Sequence, residues 1–587
     1  MAIDLKKPEQ RAKLARAIKR AFEMGASDRA RRADLINIYA DRCSLTSMYL
    51  RDRREEQMAY LNLFALFVRG HEISLAYRAP TWAVNARKKE GKGFDKNIQA
   101  FLRHYACILN FTNLAQQWAI DSAFGRAVAK IITSIAPKGI TSAVAPRAYR
   151  INPDHYIPDR SAPSLEEVTY SADVYFVDLD EAKNHEPFKK ALAKSENQRL
   201  QPWSNGNSGG SSAHPYPGGD TELFATDQCR LIDVYIPSLN IIATWEAPSD
   251  DFGCIASYEP LQVIPTVVSP HLPLDMLAVP DSLEIVSRLG QLRPLHLAAN
   301  DNFSKAVRQS EQSKRNPIAK MGDEQELNAA LASPDGEATF VTDPAALGLY
   351  TLPGADPSVL GMANIAAAKF GEHAGNLATQ LGIDPGAGTA RQTQALIGQI
   401  TQSQAVDRAK FDQFLAEVGK RLSGLAFADA SFALDYATKI PGTRYWLNSG
   451  WAPPHLMPRI GTIDDYTFET VAMSTAFRSP QEKIAQLDAA SKLVFQLMNM
   501  AAMGAPIDIE TALEDVAEAY DLVPNLQDWW NGQPPSPREQ ANNVYQSMAS
   551  PGEGSTVQYQ GVSNGGGAGG PADFGFSEQP GGLSLVG

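Results

Sequence analysis

Gly382-Ile383-Asp384-Pro385-Gly386-Ala387-Gly388-Thr389-Ala390-Arg391-Gln392 is the stretch whose reading decides the fold. Glycine admits left-handed backbone and Pro385 blocks helix continuation, so a loop here separates two helices. Upstream, Val359, Met362, Ala366, Phe370, Ala374, Leu377 and Leu381 recur at three- and four-residue steps, one stripe of a helix over 358–382. Downstream, a helix begins near Thr389 to Gln392 and extends to about Ala437. Its first half carries Gln392, Thr393, Gln394, Gln399, Thr401, Gln402, Ser403 and Gln404, polar yet almost uncharged. Its second half is amphipathic through Phe411, Phe414, Leu415, Val418, Leu422 and Leu425. A polar, uncharged half-helix behind a small-residue loop points to a surface beside something that must not adhere to it.

Before this pair lies a helix from about Asp281 to Arg315, interrupted at Pro294 and resumed at Asn302. Its end is basic: Lys305, Arg308, Lys314, Arg315 and then Lys320. Those cations fit a solvated helix face, or non-specific contact with a nucleic-acid backbone or an acidic partner. Between the two helices, 316–357 reads as a small α/β insert. Glu324 to Ala332 forms a short helix; Glu337 to Thr342 and Leu347 to Leu352 form strands around the Pro334-Asp335-Gly336 turn.

Residues 7–69 read as helices, one opened by Pro8 and closed by Gly25, the next capped by Ser27-Asp28. A further helix spans Ile98 to Ile132. From Ile140 the pattern becomes strand-like over Tyr149–Asn152, Val168–Val177, Cys229–Ile236, Asn240–Trp245 and Cys254–Ile264. A Gly/Ser/Asn-rich loop, Asn205 to Asp220, interrupts it. Strand character returns over 438–477. Ser479-Pro480-Gln481-Glu482 then gives a capping box with proline at the first helical position, and helices fill 478–545. Residues 546–587 collapse into Gly, Ser, Pro and Gln, the composition of a disordered tail.

With 587 residues, 44% hydrophobic and 20% charged, the chain reads as a soluble globular protein of α+β class. A net charge of -12 argues against general coating of nucleic acid. The ends differ in sign: the first 54 residues are basic, whereas 478–530 sets nine carboxylates against Arg478, Lys483 and Lys492. Cys43, Cys107, Cys229 and Cys254 form no CxxC pair and read as reduced, mostly buried cytosolic thiols. No run is apolar enough to span a membrane, and the N-terminus has no signal-peptide core.

Catalytic signals are sparse. Gly206-Asn207-Ser208-Gly209-Gly210 matches G-x-S-x-G with His214 nearby, but no strand precedes Ser208 and no helix follows it, as a nucleophile elbow requires. Gly386-Ala387-Gly388-Thr389 precedes a helix, as phosphate cradles do, without the Gly-Lys-Ser/Thr ending. None of the nine histidines has metal-ligand spacing. No metal, cofactor or catalytic set is expected.

The order of elements resembles the portal (head-to-tail connector) proteins of tailed bacteriophages, most like those of short-tailed phages. The likeness is carried by Ile151-Asn152-Pro153, Tyr156-Ile157-Pro158-Asp159 and Leu165-Glu166-Glu167-Val168. It continues through Leu231-Ile232-Asp233-Val234-Tyr235-Ile236, Ile242-Ala243-Thr244-Trp245 and Leu272-Pro273-Leu274 with Asp281-Ser282-Leu283. It covers roughly residues 30–530 and leaves out the 205–220 loop and the Gly-rich tail.

The resemblance implies a protomer of helical stem, small α/β clip, mixed wing and helical crown that assembles into a ring, usually a dodecamer. On this chain it implies a wing over 1–280, stem helices at 281–315 and 358–382, and a clip at 316–357. It further implies a tunnel loop at 383–391, a long wing helix over 392–437, a β-rich wing return at 438–477 and a crown at 478–545. The ring would sit at one capsid vertex of the virion, assembled in the host cytoplasm. Double-stranded DNA would pass the loop residues Ile383, Asp384, Pro385, Gly386, Ala387, Gly388, Thr389 and Arg391 without sequence readout. Implied partners are terminase, head-tail adaptor and tail proteins, and the major capsid and scaffolding proteins, with no membrane. Translocation energy would come from a separate ATPase. Two other readings are an internal ejection or adaptor protein of the virion, and a serine hydrolase using Ser208.

Overall fold

The computed structural model describes residues 4–40, 61–137, 140, 142–193, 199–202, 227–312, 315–319, 347–351, 356–375, 390–439 and 446–471, with short helical pieces between 492 and 503. Within them the protein is mixed α and β. Helices α1 (Pro8–Met24) and α2 (Ala26–Tyr39) meet at Gly25. Pro8 lies in the first turn of α1, where a missing N–H is harmless, and Leu14, Ile18 and Phe22 form its buried stripe. α2 has no side-chain cap. Asp28, expected to cap it, instead accepts from Arg160 Nη2 at 2.7 Å, because a buried carboxylate requires a countercharge.

α3 (Leu63–Ala76), strand β1 (Trp82–Ala86), α4 (Phe94–Ile108) and α5 (Phe111–Ala123) follow. The helix expected over Ile98–Ile132 is therefore two helices, and it stops early. Gly125, at φ +139°, turns the chain into β2 (Arg126–Ile135). The first six residues of β2 are all buried, so they show no alternation, and such a run reads equally as a core helix.

β2 pairs antiparallel with β3 (Val144–Ile151). A five-stranded antiparallel meander is then built from β4 (Tyr156–Pro158), β5 (Ser171–Asp178), β6 (Gln228–Ile236), β7 (Ile241–Glu246) and β8 (Gln262–Pro265). α1 covers one face, where Ile18 and Phe22 join Ile232, Val234 and Trp245. The short helices α6 (Leu179–Asn184) and α7 (Glu186–Leu192) cover the other, around Cys229 and Leu231. The strand expected over Cys254–Ile264 is a correction: Gly253–Ser257 is a helical turn, α8, entered from Phe252 at φ +52°, and β8 starts only at Gln262.

β9 (His271–Asp275) adds to the free side of β2. β10 (Leu277–Ala278) and β11 (Ile285–Val286) form a small hairpin, with Asp281 at φ +54° between them. The helix expected from Asp281 accordingly begins at Arg288. This helix, α9 (Arg288–Gln312), passes through Pro294 without breaking. The lost N–H bond to Gly290 is offset by burial of Leu289, Leu292, His296 and Ala299 on either side.

β12 (Arg315–Ala319) pairs antiparallel with β13 (Leu347–Thr351), and α10 (Pro357–His373) runs back. α10 is shorter than the expected 358–382: Gly375, at φ +86°, donates to Glu372 O and ends it. α11 (Ala390–Ala428) spans 39 residues, about 58 Å at 1.5 Å per residue. It ends before the expected Ala437 because Asp429 Oδ1 accepts from the N–H and Oγ of Ser431, turning the chain into β14 (Leu434–Lys439). β14 pairs with β15 (Trp446–Trp451), and β16 (Tyr466–Thr470) closes on β1.

The largest core gathers around the second half of α11. All six apolar positions expected there, Phe411, Phe414, Leu415, Val418, Leu422 and Leu425, are buried with Trp82, Phe101, Phe111, Trp118 and Trp451. Trp82 Nε1 donates to Leu415 O at 2.8 Å, so the N–H edge of the indole abuts the helix backbone. A Cβ on Gly419 would come within 2.5 Å of that nitrogen. Gly419→Ala is expected to destabilise the chain by about 1–3 kcal/mol despite alanine's better helix propensity, read as a lowered urea midpoint.

Candidate functional site

The hairpin of α9, β12, β13 and α10 positions most of the described site residues. α9 is about 37 Å long and α10 about 25 Å at 1.5 Å per residue. Asp356, which caps α10 by accepting from Ser358 N–H, donates its own N–H to Gln309 Oε1 at 2.9 Å, tying the two helices at the far end. At the near end Phe370 and Ala374 join Phe64, Phe67, Leu289 and Leu292.

The inward stripe of α10 is Val359, Ala363, Ala366, Phe370 and Ala374, shifted from the expected one. The spacing of Met362 puts it on the same stripe, but it is 56% exposed. The pairing with α9 selects Ala363, whose methyl lets the helices approach; Met362 would hold them apart. Met362 and Ile365 (56%), three residues apart, share one exposed side of α10, and Leu360 (42%) is exposed on the opposite flank of the buried stripe; no described residue covers them.

Lys305 and Arg308 project from the solvent side of α9, on either side of buried Ala306. Arg315, expected at the end of a helix, opens strand β12 opposite Thr351. Strand pairing of 315–319 with 347–351 satisfies the backbone where the helix stops. Within the insert, the expected strand at Leu347 is present; the helix over 324–332 and the strand over 337–342 lie outside the described residues. So do Lys314, Lys320, Ile383 to Thr389, Ser208 with its loop, the capping box at Ser479 and 504–587, the greater part of the expected crown with the tail. Arg391 belongs to the first turn of α11 rather than to the loop before it.

A constellation not visible in the sequence lies between the two sheets. Ser171 Oγ is 2.7 Å from His271 Nδ1, and His271 Nε2 is 2.8 Å from Asp173 Oδ1. This is the residue set of a serine hydrolase, but its surroundings contradict that use. Lys130 Nζ donates to both oxygens of Asp173 at 2.8 Å and to Asp233 Oδ2 at 2.7 Å. Tyr175 and Thr244 hydroxyls donate to Asp233 Oδ1. Ser171, Asp173 and His271 are at most 4% exposed, so a substrate has no path to the hydroxyl. Burial raises the Asp173 carboxyl, while the Lys130 ammonium and the His271 hydrogen bond outweigh it and hold it at about 2. The cluster is an ionic joint between β2 and β9 of one sheet and β5, β6 and β7 of the other. Only the polar residue within a strand run, as at Asp233 in Leu231–Ile236, hinted at it.

Neither Cys229 nor Cys254 is an activated thiol. Of the described cysteines only Cys229 is buried; Cys254 is half-buried and Cys107 exposed, which corrects the expectation of mostly buried thiols. Burial pushes Cys229 up to about 11 and Cys254 up to about 12, leaving both protonated near neutrality. Among the described residues no group of three or more His, Cys, Asp or Glu could hold a metal ion, and no helix is long and apolar enough to cross a membrane.

No family model matches the chain, and no curated protein is significantly similar to it. Its functional reading rests on the hairpin and on the order of elements around it.

Proposed function

We propose that the chain is the protomer of a portal ring at a unique capsid vertex. In this reading the ring is the conduit for double-stranded DNA during packaging and ejection, and the dock for terminase and the tail adaptor. The observation that carries it is the pair of exposed apolar flanks of α10. Met362 and Ile365 on one side and Leu360 on the other are apolar side chains of a projecting hairpin that a solitary chain would expose to water. Side-by-side packing of hairpins around an axis covers such a face in every subunit at once, as a closed heterologous ring requires. The paired strands β12 and β13 at the hairpin's far end suit the role of clip. Lys305 and Arg308 lie on the flank leading to it, where a few cations can centre a duplex without gripping it. The uncharged Gln/Thr/Ser start of α11 suits low-friction passage, because each strong phosphate contact would have to break as the duplex moves.

Negative-stain electron microscopy of the purified full chain tests this. Rings with a central hole wide enough for a duplex are expected; a monodisperse monomer at micromolar concentration would overturn the reading. Removing residues 320–346 should leave rings intact and abolish terminase and adaptor binding, measured by co-sedimentation.

A further inference from the structure

We infer that the cavity between α2, the end of α5 and the start of α9 binds a carboxylate carried on a compact apolar body. The cavity holds about 250 Å³, more than the roughly 150 Å³ that accepts one benzene ring. Part of its wall is apolar: Leu35 and Phe124 are buried there, and half-buried Ile285 and Val286 of β11 stand beside them. Three charged residues of α2, Asp28, Arg31 and Arg32, line the rest. Two of these are already committed. Asp28 accepts from Arg160 Nη2 at 2.7 Å, and Arg32 donates through Nη1 to Asn152 and Asp154 and through Nη2 to Asp121. Arg31 is exposed and forms no ion pair among the described residues; the nearby Asp34 is taken by Arg293 Nε at 2.8 Å. Arg32 is nine-tenths buried, yet its Nε has no hydrogen-bond partner. The wall thus carries a cation without a counterion and a buried donor without an acceptor, and a negative charge is what it lacks.

The shape of the cavity is fixed by its own contacts. Ser287 Oγ accepts from Gly290 N–H and donates to Ala123 O, both at 3.2 Å, which ties the start of α9 to the end of α5. Gly290 leaves its part of the wall without a side chain, and an added Cβ would meet only Ser287, at 3.4 Å and beyond. Gln291, exposed in the same wall, adds an amide donor. A bare inorganic anion would leave the apolar wall unused, and a neutral apolar molecule would leave Arg31 without a counterion. A planar carboxylate matches the guanidinium fork, and a body of about one ring fills the space beside it. Such a group comes either from a free organic acid or from the C-terminal residue of a polypeptide with an apolar side chain.

The inference does not depend on ring formation, because the cavity lies within one chain. Its test is saturation-transfer NMR of the full chain titrated with 3-phenylpropionate and with N-acetylphenylalanine. Binding of at least one acid with a Kd on the order of 1 mM or tighter is expected. Tighter binding of N-acetylphenylalanine assigns the site to a chain terminus, and tighter binding of 3-phenylpropionate assigns it to a free acid. The corresponding amides, alike in shape but uncharged, should bind at least about tenfold more weakly. Arg31→Gln should weaken the acids by about the same factor, and Arg31→Lys should keep most of the binding. Gly290→Leu should abolish it by filling the cavity, with an unchanged circular dichroism spectrum. The Arg31 variants decide the matter by themselves, since that side chain is exposed and supports no ion pair among the described residues. Failure of both acids to bind, equal binding of acid and amide, or native affinity in Arg31→Gln would each overturn the assignment.

Discussion

Met362→Glu combined with Ile365→Glu is expected to dissolve the proposed ring into single chains while leaving each chain folded. Both side chains are more than half exposed in the single chain, so glutamate meets water there, and surface changes of this kind cost within about 0.5 kcal/mol. In a ring the same positions would lie between hairpins. Each apolar side chain covered there contributes about 1.5–3 kcal/mol, and a carboxylate in its place adds a desolvation cost. On the order of 5 kcal/mol per contact is lost, between three and four powers of ten in Kd. Mass photometry should show the ring peak replaced by single chains, with an unchanged far-UV circular dichroism spectrum. Rings persisting in the double variant would remove α10 from the contact.

The second large effect is expected inside the protomer. Lys130→Met leaves the carboxylates of Asp173 and Asp233 buried without their shared cation. Removing one partner of a buried ionic group costs about 3–5 kcal/mol, enough to part the two sheets of a marginally stable chain. The pH dependence should also change sign. Asp173 is depressed to about 2 in the folded protein, so its contribution is present above the unfolded carboxylate range near 4 and is lost as pH falls from there towards 2. Without Lys130, burial dominates and raises the carboxyl, so the variant is expected to gain stability in mild acid where the native protein begins to lose it. Urea unfolding at pH 7, 5 and 4 reads both effects. An equal loss at all three values would show that Lys130 serves through packing alone.

Much of this architecture is legible in residue order. Proline and glycine mark the ends of α1, and aromatic and β-branched runs locate β5, β6 and β7. The Phe411–Leu425 spacing identifies the half of α11 that enters the core. These signals are local, because backbone freedom and one-sided burial act within a few residues. The failures share one cause. The pattern of β2 predicts a helix because a strand buried on both faces has no period. Asp28 has the position of a cap, and its partner, Arg160, lies 132 residues away. The spacing of Met362 puts it on the buried stripe, but spacing fixes a stripe's width, not which of two neighbouring residues meets the facing helix.

The sequence by itself determined the alternation of helical and strand-rich regions, the long helix after the Gly/Pro loop and the opposite charge of the two ends. Only the tertiary structure decided which side chains of α10 are left uncovered, and that Lys130, Asp173, Asp233 and His271, drawn from four strands, share one buried joint. Local pattern is set by neighbours along the chain. Countercharges and helix faces are chosen by contacts between residues far apart in it, and a single sequence carries no signal of which distant partner prevails.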